Sequence, residues 1–298
     1  MNSTSKAKFR SPNRVLLLFV LPALIFYIVF MLLPALGGIW YSLTDWNGLN
    51  RAYRFVGIAN YIEALTSDTV FQHSLLFTFQ YVVFMVVLEN AVALLLAVLI
   101  ESRRHAKSLL RTVFFVPNMI SMIIAGFLWM FIFTRVVPYF AEHSVFRFLD
   151  VPWIGDARFS FLAILIVSIW GGAGYLMVIY IAALQSVPAE LEEAAAIDGA
   201  NAPQIFRHVT LPMILPSLTI CIFVTLNGSF KVFDVVYALT EGGPGTSTQV
   251  VALNIYREAY SLNNRFGYAS AKAMLLFAII AVLTGIQLFL MKRREVEA

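Results

Sequence analysis

The sequence predicts an all-α polytopic membrane protein with six transmembrane helices. Three observations carry that reading: the composition, six apolar runs of membrane-crossing length, and the placement of basic residues between them. Of 298 residues, 60% are hydrophobic and 13% charged, and the mean hydropathy is +0.81. Soluble domains carry about 25% charged residues. A chain this apolar cannot cover a soluble surface, which excludes a cytosolic globular enzyme and a disordered chain. The net charge of +4 does not point to nucleic acid, because the basic residues gather at a few positions. The lone cysteine, Cys221, lies in an apolar run and excludes a disulfide framework or a cysteine-rich metal site. No metal ligand set is expected.

A bilayer core needs about 20 apolar residues per helix. The runs are Val15–Trp40, Leu75–Ile100, Thr112–Phe133, Phe159–Leu184, Met213–Val236 and Tyr268–Met291. The first follows Lys6, Lys8, Arg10 and Arg14, as a signal peptide would. It is much longer than the about 7–15 apolar residues of such a peptide and ends in no small-x-small site, so it reads as an uncleaved helix. With the N-terminus inside, the inner segments hold twelve Lys and Arg: those four, then Arg103, Arg104, Lys107, Arg111, Arg207, Lys292, Arg293 and Arg294. The outer segments hold seven. That bias places both termini in the cytoplasm of a multi-pass cell-membrane protein. Residues 1–14 form a cytoplasmic tail, 15–291 the membrane domain, and 292–298 a second tail.

The inner loop 186–212 departs from this pattern. It holds Arg207 alone among basic residues, against Glu190, Glu192, Glu193 and Asp198. Pro188 suits a first helical turn, and the acids behind it suit the positive end of a helix dipole. Alanines carry the body, and Gly199 is a natural stop. Asn201 can cap a second short helix through about His208, with Pro203 in its first turn. One reading is a helix pair resting on lipid headgroups. Four acids facing anionic lipid disfavour it, and a compact alanine-rich knob for a protein socket fits better.

Glu193-Ala194-Ala195, three residues, Gly199, nine residues, then Val209-x-Leu211-Pro212 resembles the EAA-x3-G-x9-I-x-L-P loop of ABC importer permeases, with Val209 in the Ile position. The segments Phe55–Tyr61, Phe233–Pro244 and Phe266–Ala271 resemble the carbohydrate-uptake, MalF-like branch of that family. The resemblance covers nearly the whole chain. It implies that 186–212 is a coupling loop on which a separate ABC ATPase dimer docks through Glu190, Glu193, Ala194, Ala195, Asp198 and Gly199. It implies a second homologous permease subunit in a heterodimer, an extracytoplasmic solute-binding protein, and a sugar or oligosaccharide as solute. No G-x-x-x-x-G-K-[ST] motif is present, so the chain is expected to be non-catalytic, with no cofactor of its own and ATP and Mg on the partner ATPase.

The fourth run enters near Phe159, so Ser168 to Tyr175 lies roughly 13–24 Å along it, near the midplane. Ser168, Gly171 or Gly172, and Tyr175 share a helical face. Gly171, Gly172 and Gly174 weaken a helix there, and interrupted helices near the midplane are where transporters bind solute. Thr225 and Ser229 share a face of the fifth run at similar depth. The resemblance matches Ser168, Trp170, Gly171, Gly172, Tyr175, Thr225 and Ser229 to sugar-contacting positions. Ser, Thr and Gly at such spacing also serve plain helix packing, so both roles stand open.

Charged residues inside spans are functional candidates. Lys231 and Asp234, three apart, are expected to pair, and Lys272 to snorkel outward. Glu89 beside Asn90 is the midplane charge. The four histidines, His73, His105, His143 and His208, are scattered outside the spans, which disfavours a membrane enzyme. The alternatives are a permease for glycerol phosphate, an amino acid or a peptide, and a stand-alone secondary carrier in which Glu89 couples an ion.

Overall fold

The computed structural model describes residues 13–103, 105–143, 145–262 and 264–292. Most of the N-terminal tail (through residue 12), the tail beyond Lys292, and Arg104 lie outside them. The described residues are helical throughout, apart from turns and one isolated bridge between Thr44 and Phe55. The membrane-length helices are α1 (Phe19–Ser42), α3 (Thr69–Glu101), α5 (Met122–Glu142), α6 (Ala157–Gln185) and α12 (Phe266–Lys292). Among the described residues a sixth candidate is a bent pair, α8 (Ala202–Met213) and α9 (Leu215–Phe230), which meet at 73° and add one span to the five if taken together. Shorter helices fill the connections: α2 (Ala59–Thr66), α4 (Lys107–Phe115), α7 (Ala189–Ile197), α10 (Asp234–Leu239) and α11 (Val251–Tyr256).

The longest helix, α3, is the axis. Asp68 caps it by accepting from the Phe71 N–H at 2.8 Å. Along α3 the buried residues fall into three clusters. Phe77, Tyr81 and Met85 pack with Ile164, Val167, Val236 and Leu253. Ala93, Ala97 and Ile100 pack with Leu176, Tyr180 and Cys221, joining α3 to α6 and α9. Phe71 and Val82 pack with Phe230, Tyr268 and Leu276, joining α3 to α9 and α12. Lipid tails are as apolar as leucine, so close packing and interhelical hydrogen bonds hold such helices together. The outward surface is correspondingly apolar, and no side chain from Phe19 to Leu36 is buried.

Two spans differ from expectation. The run Thr112–Phe133 is not one helix. Pro117 and the extended backbone at Ile120 divide it, so Lys107–Phe115 forms α4 and the membrane helix begins at Met122. The expected span Met213–Val236 ends as helix at Phe230 and restarts at Asp234. Phe233, at the break, is held by stacking on Tyr237 at 5.4 Å and by an edge contact with Tyr256 at 5.3 Å. At 16 residues, α9 is about 24 Å long, shorter than an about 30 Å core. α10 continues the path.

The motif after the first span has a clear task. Asn60, buried, donates to the carbonyls of Ser42 and Thr44 at 2.8 and 2.9 Å, satisfying groups freed where α1 ends. Gly267 is required at the start of α12, because a Cβ there would fall on the Thr44 carbonyl. Its N–H instead bonds Trp46 O at 2.8 Å.

Lys272 does not snorkel. Its side chain is 0% exposed, with Nζ 2.7 Å from Asp68 and 3.0 Å from Glu258. It also donates to Asn254 Oδ1 at 2.9 Å and lies 4.4 Å from the Tyr268 ring centre. Arg265 pairs with Glu63 at 2.8 Å beside this cluster. Burial alone would push the Asp68 carboxyl up; the Lys272 ammonium, the Phe71 N–H and the Tyr268 hydroxyl together hold it below its ordinary value. A carboxyl depressed in the folded state stabilises above its unfolded pKa of about 3.9 and loses that contribution as pH falls through the lower folded value. Breaking a buried pair by removing one partner costs about 3–5 kcal/mol. Lys272→Met should therefore lower the thermal unfolding midpoint of the purified protein markedly at pH 7, and the gap to wild type should narrow in acid.

Candidate functional site

One cavity of about 390 Å³ opens between α3, α6 and the broken end of α9. Six of the seven predicted pathway residues line it: Ser168, Gly171, Gly172, Tyr175, Thr225 and Ser229. Trp170 does not. It points to α5, where its ring meets Trp129 edge-on at 5.6 Å. Tyr175 is the open aromatic of the wall, 43% exposed, whereas Ser168, Thr225 and Ser229 are buried.

The glycines act differently from expectation. α6 runs unbroken from Ala157 to Gln185. Each glycine is instead a point of close approach: a Cβ at Gly171 would strike Met122 Sδ, at Gly172 a Glu89 oxygen, and at Gly174 the Phe114 carbonyl. Small residues that let backbones and side chains approach are the usual currency of membrane helix packing. The interruption expected in α6 lies in the neighbouring path, at Lys231–Phe233, and those residues line the cavity with Asp234.

That break removes the expected Lys231–Asp234 pair. The two no longer sit one turn apart on a helix, and among the described residues they form no ion pair. Both are exposed toward the cavity.

Two polar connections cross the helix interfaces behind the wall. Tyr81 OH donates to Ser168 Oγ at 2.9 Å, tying α3 to α6. Tyr180 OH donates to Asn90 Oδ1 at 2.7 Å, and Asn90 Nδ2 donates to Thr225 Oγ1 at 3.1 Å, tying α6, α3 and α9 together. Asn118 reaches the Gly171 carbonyl at 3.3 Å. Residue patterns alone missed Tyr81, Asn118 and Met122 as wall residues. Tyr81 sits two helical turns before Glu89 on the same helix face, which is the one signal available for it.

A second candidate surface is the loop between α6 and α9. Pro188 sits at the N-cap of α7, with Glu190 and Glu192 in the first turn. Gly199 has φ +89°, and its N–H bonds Ala196 O at 3.1 Å while Ala200 N–H bonds Ala195 O at 3.0 Å. This is a Schellman stop. Asn201 and Gln204 form a reciprocal capping box for α8, which runs on past His208 to Met213. Glu192 accepts from Thr210 Oγ1 at 2.7 Å and fastens α7 to α8. Glu190, Glu193, Ala194 and Asp198 are exposed, Ala195 is half-buried, and Ile197, missed at the motif level, is 86% exposed.

A bundle of bent and straight apolar helices around a cavity with a few converging polar side chains, and an exposed acidic helix pair at one end, fits a membrane transport component. The chain belongs to the family of binding-protein-dependent transport system inner membrane components, whose model matches residues 89–296. It is 41% identical over 98% of its length to a probable starch degradation products transport system permease protein, AmyD, of Thermoanaerobacterium thermosulfurigenes, covering 99% of that protein. It is 34% identical over 93% of its length to the multiple sugar-binding transport system permease protein MsmF of Streptococcus mutans, covering 95% of it. Its fold matches a chain of a bacterial alginate ABC transporter, solved with a pentasaccharide-bound periplasmic protein, at a TM-score of 0.81 and 21% identity, covering 94% of this chain and 95% of that one.

The Asn90 connection behind the wall ties three helices through one side chain. Leaving buried polar partners unsatisfied costs about 1–3 kcal/mol. Asn90→Leu should lower stability by that amount, and Tyr180→Phe added to it should cost less than it does alone, because the two share one network. Thermal unfolding of the four proteins of the cycle checks this.

Proposed function

We propose that this chain is the permease subunit of a sugar ABC importer, with a starch-derived or similar neutral oligosaccharide as solute. Its relatives named for starch products and multiple sugars support the solute class. The observation that carries the reading is the cavity where Ser168, Gly172, Tyr175, Thr225 and Ser229 meet beside the broken α9–α10 path. An open tyrosine ring can cover the C–H face of a sugar, and hydroxyl side chains can meet its rim. A discontinuous helix beside the cavity is the usual architecture of a transport site.

The Glu101 end of the bundle is then cytoplasmic, with both chain termini on that side. Arg103, Lys107, Arg111, Arg207 and Lys292 gather there, as cytoplasmic loops require. A partner ATPase dimer, carrying ATP and Mg, grips α7 through Glu190, Glu193, Ala194, Ala195, Asp198 and Gly199. A second permease of the same family completes the pathway and covers the apolar faces left open here. An external binding protein delivers the sugar. ATPase closure moves α7, and α7 moves the 186–212 segment that joins α6 to α9. Those two helices carry opposite walls of the cavity, so their relative motion would open it to one side and then the other.

The chain reconstituted with its ATPase, partner permease and binding protein should take up maltotriose only with ATP. Glu193→Lys reverses a charge on the exposed face of α7. It should lower uptake at least tenfold while membrane insertion and the thermal midpoint stay unchanged. Uptake of maltotriose without the ATPase would overturn the importer reading, and undiminished uptake by Glu193→Lys would overturn the docking assignment.

A further inference from the structure

Glu89 is the polar wall group that the packing does not use. It lies two-thirds of the way along α3 and is only 8% exposed, yet it accepts no hydrogen bond and forms no ion pair among the described residues. Its polar neighbours on α3 are already engaged: Tyr81 with Ser168, Asn90 with Tyr180 and Thr225. A carboxylate offers two oxygens and about four acceptor sites. Buried polar groups normally find partners, and one left without a protein partner at a cavity wall takes its hydrogen bonds from what fills the cavity, water or ligand.

The carboxylate is also seated. One oxygen occupies the space that a Cβ at position 172 would take. Gly172 is thus a notch in α6 that holds the carboxylate between the two helices. Tyr175 stands one turn further along α6 from the notch and opens into the same cavity. An acceptor-only group next to an open aromatic ring suits one ligand chemistry well. The ring covers the C–H face of a pyranose, and the carboxylate takes hydroxyl protons at its edge. A phosphate or carboxylate solute would meet repulsion at the same point. Lys231 and Asp234 lie at the broken end of α9 and carry opposite charges, and Glu89 is the remaining acidic side chain of the wall.

We propose that Glu89 is a specificity-determining residue that accepts hydrogen bonds from adjacent hydroxyls of a neutral sugar, and that Gly172 positions it. This rests on the sugar-importer reading above. A tenfold loss corresponds to about 1.36 kcal/mol.

The test is maltotriose uptake by the complete complex in liposomes, at saturating binding protein, for wild type, Glu89→Gln and Gly172→Ala. Glu89→Gln keeps the size and removes the charge. It should lower kcat about tenfold, leave the KM for loaded binding protein unchanged, and leave the thermal midpoint unchanged. Gly172→Ala keeps the charge but displaces the carboxylate, and should lower kcat in the same way. Wild-type kcat in Glu89→Gln would overturn the proposal, as would loss of complex assembly in both variants, which would make the pair structural. Uptake that loses a dependence on pH or sodium in Glu89→Gln, with kcat for the sugar retained, would make Glu89 an ion site and overturn it too. If wild type moves no maltotriose, the sugar reading itself fails, and the role given to Glu89 falls with it.

Discussion

The close approach of α6 to its neighbours is the constraint on which the rest depends. Three glycines within four positions of α6 face three different partners: Met122 of α5, Glu89 of α3, and the Phe114 backbone of α4. In a bilayer, helices gain nothing from hiding apolar surface from lipid, so contact distance decides how strongly they associate. A side chain at any of the three would lift a different element away from α6. The same stretch therefore sets the width of the cavity, the position of its carboxylate and the seat of α4. Stability and site geometry are one problem here, solved by leaving atoms out.

The charged residues fall into two kinds. Lys272 is closed on every side by acids, an amide and an aromatic ring, and it joins the cap of α3 to α11 and α12. Such a centre holds the adjoining ends of three helices in one register. Glu89 is as deeply placed but faces open volume. A charge within the membrane is tolerated only with a partner or with water. The first kind carries its partner within the fold, and the second is left to meet one.

Much of the architecture is legible in the sequence because bilayer thickness leaves few options. An apolar run of sufficient length must cross, and four of the six runs do so within a few residues of the expected bounds. The failures have a common cause. Hydropathy does not distinguish a helix that crosses from one that bends, so the division at Pro117 did not show within its apolar run, while Lys231 and Asp234 left the far boundary of the fifth run open without showing the break. The glycines of α6 were visible, but their propensity misled: low helix propensity matters little where each N–H and C=O has no water to turn to. The wall residues Ser168, Gly172, Tyr175, Thr225 and Ser229 were legible from depth and helical face. Trp170 was not, since adjacent residues on a helix diverge by about 100° and its ring belongs to the α5 side.

The acidic loop shows how local rules can shape a lever. Gly199 stops α7, Asn201 starts α8, and the capping box and Schellman bonds leave no slack between them. Glu192 then ties α7 to Thr210, near the 73° bend that leads into α9. On the proposed mechanism, a push on the exposed face of α7 would pass through α8 to the bend instead of being absorbed by the turn. On the proposed mechanism this explains why one acid of the loop faces inward while its neighbours face out. Glu193 would receive the partner, and Glu192 would keep the received force from being lost in the loop.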